Sequence, residues 1–301
     1  MRTLRGKILC FSFNSFLIGL LTLMFCITVF LSYKLLTNDQ CQYEKNDILR
    51  IKTTNPRVKR LLTNHKLAVL VPFRNRFEEL LQFAPYIHQF LTEQGINHKI
   101  FVLNQVDAFR FNRASLINVG YLYTKEEFDY IAMHDVDLLP INKNLKYYYP
   151  EQPFHVAAPE LHPRYHYKKF IGGILLINRE HFALVDGLSN RYWGWGLEDD
   201  EFYVRLKDAQ LNITRPENIQ TNMTNTFRHI HDKTRKRDTI KCHNQREVTR
   251  KRDRQTGLHD VSYKITSHNE LVVNGAPVTV LNIQLFCDRN STPWCDCDVN
   301  N

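Results

Sequence analysis

The stretch LAVLVPFRNRFEELLQFAPYIHQFL, residues 67–91, decides the fold. Residues 67–71 are a short continuous apolar run, the pattern of a strand buried on both faces, and Pro72 ends it. Phe77, Leu80, Leu81, Ala84, Ile87 and Leu91 then recur at helical spacing, with Pro85 expected to kink or break the helix. The alternation continues downstream. Residues 99–103 read as a second strand, 113–123 as a second helix and 130–133 as a third strand. Strands alternating with helices predict an α/β sheet with parallel strands, and such sheets bind ligands beyond the carboxyl ends of their strands. Arg74 and Arg76 follow the first strand, Asp107 the second, and Asp135 and Asp137 the third.

Upstream, the texture differs. The 301 residues are 43% hydrophobic and 24% charged with a mean hydropathy of -0.39, which suits one sizeable domain and makes a long apolar run conspicuous. Residues 8–33 contain no charged side chain, and about 20 residues of helix suffice to cross a bilayer. Arg2, Arg5 and Lys7 precede the run, so the positive-inside rule keeps the N-terminus cytosolic. The competing cleaved signal peptide would have a shorter apolar core ending in small residues, which residues 33–36 do not supply. The expected organisation is a cytoplasmic tail (1–7), a transmembrane signal anchor (8–33), a polar stem (34–64) and a lumenal domain (65–301).

An oxidising lumen permits disulfides among Cys242, Cys287, Cys295 and Cys297, with the pairing open; Cys295-Asp296-Cys297 matches structural zinc motifs poorly. Asn212, Asn222 and Asn290 head glycosylation sequons under the same topology. The net charge of +9 is concentrated between Arg228 and Arg254, where eleven Lys and Arg face four Asp and Glu. A lumenal protein has no use for this as a nucleic-acid signal. A solvated basic face and contact with an anionic substrate both remain open.

Three clusters carry chemistry. In His134-Asp135-Val136-Asp137 two carboxylates two residues apart close an apolar strand, projecting to one side if extended or wrapping a turn. Such a group holds the divalent cation that makes a diphosphate a good leaving group, although a solvated turn looks the same in isolation. In Phe227-Arg228-His229-Ile230-His231-Asp232 the two imidazoles share a face if the chain is extended. Together with the Asp pair they favour an intermediate metal such as Mn²⁺ over an all-oxygen magnesium site. Trp193-Gly194-Trp195-Gly196 joins rings that hold sugars to hinges, the composition of a lid. Glu198, Asp199, Asp200 and Glu201 follow, either a dipole-favoured helix start or acids with separate tasks, one of them a general base.

The strings VPFRNRFEEL, FNRASLINVGY, HDVDLLP, FIGGILLINREHF and WGWGLEDDEF, in this order, resemble the β-1,4-galactosyltransferase family. FRHIHD, with FHVAAPELHPRYHYKKF before it, resembles the branch that transfers to xylosylated protein; Asn274–Pro277 and Thr292–Cys295 extend the match. The resemblance implies a GT-A-like α/β fold and inverting transfer of galactose from UDP-galactose to the 4-hydroxyl of xylose on proteoglycan core proteins, in the Golgi membrane. By similarity Asp137, His229 and His231 would bind Mn²⁺. Pro72, Phe73, Arg74, Arg76, Phe111, Arg113 and Val136 would form the nucleotide pocket, and Gly172 and Gly173 would admit the galactose. Asp199 would be the base, Glu198 and Asp200 would hold sugar hydroxyls, Trp195 would close over the donor, and Tyr165 and Tyr167 would shape the acceptor site. Phe170 stands where the family commonly has Tyr, a departure that bears on the exclusion of donors larger at C2. The rival functions are transfer to N-acetylglucosamine and a non-catalytic glycan-binding membrane protein, which would need neither base nor metal site.

Overall fold

The computed structural model of the chain describes residues 21–29, 65–231, 235–240 and 242–297. The chain divides into two compact units, Met1–Thr54 and Asn55–Asn301. In the first, residues 21–29 are helical and exposed. Among the described residues no helix is long and apolar enough to cross a membrane. The expected cytoplasmic tail (1–7), most of the expected anchor at 8–33 and all of the stem (34–64) lie outside the described residues.

The second unit is built on a seven-stranded sheet. Its elements in chain order begin with β1 (Lys66–Phe73), α1 (Phe77–Glu93), β2 (Asn97–Gln105), α2 (Arg113–Thr124), β3 (Tyr130–His134) and β4 (Leu138–Pro140). Then come β5 (Phe154–His155), β6 (Ile174–Asn178), α3 (Arg179–Leu184), α4 (Glu198–Asp208) and β7 (Phe227–His229). α5 (Gln245–Thr249), β8 (Tyr263–Val273) and β9 (Ala276–Leu285) complete the unit. The sheet order is β5-β6-β3-β1-β2-β9-β8, while β4 and β7 form a separate two-stranded ladder.

Period-two alternation in β1 sorts its side chains into two cores. Leu67, Val69 and Val71 pack with Leu80, Phe83, Ile87 and Leu91 of α1 on one face. Ala68 and Leu70 pack with Leu116, Ile117 and Val119 of α2 on the other. Both faces of the strand are covered by helices, which is why the sequence shows an unbroken apolar run there.

Two expectations need correction. Only β3, β1, β2 and β9 pair in parallel; β6, β5 and β8 add antiparallel edges. The antiparallel edges are joined through the β8–β9 hairpin and the return of β6 along β3, neither of which continues the strand–helix alternation. Pro85 neither breaks nor ends α1. The proline cannot donate to the carbonyl of Leu81, and Asn274 Nδ2 donates to that oxygen instead at 3.3 Å.

Disulfides join Cys242 to Cys297 and Cys287 to Cys295, tying the C-terminal turn to the segment that follows His229 and His231. All four cysteines are thereby used, so the pair Cys295 and Cys297 holds no zinc. Asn212, Asn222 and Asn290 are all exposed.

Candidate active site

β3 ends at His134, and the chain turns immediately, with Leu138 N donating to Asp135 O at 3.4 Å. The turn separates the two carboxylates. Asp135 accepts from Arg113 Nε at 3.0 Å, while Asp137 Oδ2 lies 2.9 Å from His231 Nδ1 and 3.7 Å from His229 Nε2. Backbone register brings these distant segments together: β4 pairs Leu138 with His229, and Ile230 N donates to Asp137 O at 2.8 Å. The extended chain through β7 then turns His229 and His231 to one side, as their spacing predicts, with ring centroids 5.5 Å apart.

One carboxylate and two imidazoles suit an intermediate divalent cation. His231 supports this fit. Its Nε2 is 2.9 Å from the carbonyl of Arg235 and its Nδ1 faces a carboxylate, both acceptors, so a neutral ring satisfies only one of them. Among the described residues no three such side chains already form a ready metal cage. The triad is gathered on Asp137 Oδ2, and taking a cation requires side-chain rotation and ligand oxygens. Burial holds His229 below the usual imidazole range; Asp137 opposes this, and Arg164 and Arg237 nearby reinforce it.

The second cluster is the start of α4. Gly194, Gly196 and Leu197 all have positive φ (86°, 105° and 75°), a winding that swings the chain from the buried Trp193 to the helix. Leu197 bears that strain without being glycine. Helical periodicity then disperses the four acids. Asp199 Oδ1 accepts from Arg113 Nη1 at 3.1 Å, and Glu198 Oε1 lies 4.0 Å from the same nitrogen. Asp200 faces Tyr167, whose hydroxyl is raised by burial first and by that carboxylate second. Glu201 turns into the core and takes both oxygens to Arg205 Nε at 2.9 Å. Burial, reinforced by the charge of Asp199, pushes Glu198 up to about 8. Asp199 is also raised, chiefly by burial, with Arg113 opposing. A Cβ at Gly172 would collide with Asp199 Oδ2, so the Gly172-Gly173 backbone lies directly against this carboxylate.

The nucleotide candidates divide. Arg74 spends its guanidinium on the loop after β2, donating to Phe109 O at 2.6 Å and Asp107 O at 3.0 Å, and lies 5.9 Å from the Phe111 ring. It braces the loop that carries Phe111. Asp107 is a loop anchor, accepting from Phe109 N and Leu285 N. Arg76 pairs with the buried Glu79 at 3.1 Å, beside Arg235. Pro72 and Val136 are buried and Phe73 is half-buried at the carboxyl ends of β1 and β3. Arg113 sits among Asp135, Glu198 and Asp199, on the acid side.

On the lid, only one of the two tryptophans is available. Trp193 is 3% exposed and packs edge-on against Phe109; Trp195 is 52% exposed. Trp195 N donates to Asp238 O at 2.9 Å, and the Arg237 guanidinium lies 4.9 Å from its ring. Arg237 also donates to the Tyr165 hydroxyl, 5.6 Å from that ring's centroid. Asp238 in turn holds Arg110 through two bonds of 2.7 and 3.0 Å. Phe170 packs among Tyr165, Tyr167, His155 and His162, with centroids 5.0–5.5 Å apart, and so supports both tyrosines. His162 Nδ1 accepts from the backbone of Arg164 and Tyr165 at 3.0 Å each and aims the tyrosine loop.

Sequence reasoning missed Arg237, Asp238, Arg110 and His162. The one available signal was Asp238, an isolated acid within a basic run.

Two family profiles match the chain: the N-terminal region of glycosyl transferase group 7 over residues 26–150, and the N-terminal domain of galactosyltransferase over 152–231. β-1,4-Galactosyltransferase 7 of Drosophila melanogaster is 63% identical over 236 residues, covering 77% of this chain and 73% of the relative. The chain belongs to the β-1,4-galactosyltransferase family. Xylosylprotein 4-β-galactosyltransferase of Caenorhabditis elegans is 51% identical over 237 residues, covering 77% of this chain and 82% of the relative. A crystal structure of an Asp-to-Asn mutant of the Drosophila β-1,4-galactosyltransferase 7, in complex with manganese, UDP-Gal and xylobiose, superposes with a TM-score of 0.77. It is 62% identical and covers 78% of this chain and 100% of its own.

Proposed function

We propose that this chain is a xylosylprotein β-1,4-galactosyltransferase: it transfers galactose from UDP-galactose to the 4-hydroxyl of β-linked xylose on proteoglycan core proteins, with inversion. The observation that carries this reading is the convergence at one sheet end of a His229–His231–Asp137 triad and a half-buried, Arg113-paired carboxylate, Asp199. The relatives named for xylosylprotein and the solved relative holding manganese, UDP-Gal and xylobiose support it.

Asp137, His229 and His231 would hold Mn²⁺. When bound, the cation neutralises charge that develops on the leaving UDP. Asp199 takes the proton from the acceptor 4-hydroxyl as that oxygen bonds to the anomeric carbon and the bond to UDP breaks. Burial raises its proton affinity above the ordinary carboxylate range, and Arg113 fixes the carboxylate's direction. Attack opposite the leaving group converts an α bond into a β bond. Glu198, largely protonated at neutral pH, can donate to a sugar oxygen, while Asp200, tied to Tyr167, accepts. Trp195 closes over the donor. Residues 8–33 anchor the protein as a single-pass type II Golgi membrane protein with its catalytic domain lumenal. Asn212, Asn222 and Asn290 are then candidate glycan acceptors, and nucleic acid is no partner.

Xylose lacks the hydroxymethyl group at C5, so a site closed by Tyr165, Tyr167 and Trp195 overpacks any sugar that carries one. Transfer from UDP-galactose with Mn²⁺ to β-xyloside, β-glucoside and β-N-acetylglucosaminide tests the assignment on one preparation. The xyloside is expected to lead in kcat/KM by about 10–200-fold, the range for a small steric difference in a pocket. Equal efficiency with the N-acetylglucosaminide would overturn the xylose assignment. UDP binding without turnover on any acceptor would leave only a glycan-binding protein.

A further inference from the structure

The basic run that the proposed chemistry does not use meets the acceptor side of the site. Tyr165 and Tyr167 lie on a loop that also carries Arg164, Lys168 and Lys169, all exposed. Arg237 joins this loop to the following basic segment through Tyr165, with exposed Lys236 beside it. Among the described residues none of these five cations pairs with a carboxylate, whereas Arg110, Arg235 and Arg252 do, with Asp238, Glu78 and Asp208. Arg215 donates to Lys168 O beneath the loop and adds a further positive charge. Arg237 also lies 4.9 Å from the Trp195 ring, which places this cation between the tyrosine loop and the exposed tryptophan. Unpaired like charges converging on one rim repel one another, so the arrangement costs stability unless a ligand supplies the opposite sign.

We propose that this rim, formed by Arg164, Lys168, Lys169, Lys236 and Arg237, docks acidic residues of the acceptor polypeptide next to the xylosylated side chain. The inference rests on the assignment of xylosylated protein as acceptor. The chemistry of the acceptor selects peptide over glycan. The acceptor xylose is joined to the polypeptide through its reducing end, so acidic side chains flanking the attachment site enter beside it. Electrostatic complementarity of this kind raises encounter and binding more than the chemical step.

Two xylosylated peptides of equal length test it, one flanked by Asp and Glu and the other by Asn and Gln, assayed with the full chain, UDP-galactose and Mn²⁺. The acidic peptide is expected to have a KM on the order of tenfold lower at low ionic strength, since three or four exposed pairs of a few tenths of a kcal/mol each reach that factor. Turnover should match, and the advantage should shrink as salt shortens the Debye length. Lys168→Gln, Lys169→Gln and Lys236→Gln combined should remove most of the difference while transfer to a simple β-xyloside is unchanged, which also reports on folding. Equal KM values for the two peptides, or a preference undiminished in the triple variant or in high salt, would overturn the proposal. Loss of transfer to every xyloside in the unmodified chain would instead strike the assignment on which it rests.

Discussion

The two clusters of the site are assembled in opposite ways. Asp137 lies 92 residues before His229 and 94 before His231, and they meet through a two-stranded ladder only three residues long per strand. Glu198, Asp199, Asp200 and Glu201 are consecutive, and a single helical turn sends them to different partners. In the first, backbone pairing collects charge; in the second, backbone winding distributes it. Four adjacent carboxylates are tolerable because Arg113 and Arg205 each take a share, Tyr167 binds the third, and the helix dipole favours them all. The contrast predicts that the acid cluster fails residue by residue whereas the triad fails as a unit.

Asp199→Asn is the largest test of this division. It keeps shape and can still accept from Arg113, but it cannot take a proton, so turnover should fall by about 10²–10⁴ with donor affinity little changed. Isothermal titration with UDP-galactose and Mn²⁺, beside a turnover assay, separates the two. Collapse of donor binding with residual turnover would move the base to Glu198 or Asp200.

On the other cluster, His231→Ala removes one of the three proposed metal ligands and frees the carbonyl of Arg235. The manganese concentration for half-maximal activity should rise by roughly 10–100-fold, the scale seen when support of a metal site is lost. A manganese titration of the folded variant checks this. An unchanged curve would take His231 out of the triad.

The smallest effect concerns stability. Glu198 in the folded chain binds its proton up to about pH 8, above the ordinary carboxyl value of 4.5. Stability from the neutral form is therefore full below about pH 4.5 and lost as pH rises toward 8. Glu198→Gln cannot ionise, so its Tm should exceed that of the parent at pH 8.5 by a few degrees and converge with it near pH 5. Melting curves without metal at both pH values read this directly. A gap that widens toward acid would reverse the sign and place Glu198 in a stabilising ion pair.

Much of this site was legible along the chain. The strand ends that carry Arg74, Asp135 and Asp137 follow from apolar runs and their terminators, and the shared face of His229 and His231 follows from period two. The acidic start of α4 was legible as a helix signal, because dipole and periodicity are local properties. The paired tryptophans misled: composition marks both as sugar-binding rings, yet positive φ at Gly194 turns Trp193 into the core and leaves Trp195 outside. The break that Pro85 allowed does not occur, and Asn274, 193 residues from Leu81, supplies a donor to the carbonyl the proline leaves unpaired. Arg237 was hidden within a run of like charges, where nothing local distinguishes the one that stacks on Trp195.

By itself the sequence determined the buried strands, the helices beside them, the order of the chemical groups and the family, because hydrophobic period and turn chemistry act over a few residues. Only the tertiary structure decided which carboxylate meets the histidines and which meets Arg113, that the sheet has antiparallel edges, and that Arg237 clasps Trp195 to Tyr165. Those outcomes depend on strand register and on the burial of one charge beside another across tens of residues, and no local pattern encodes a distance of that kind.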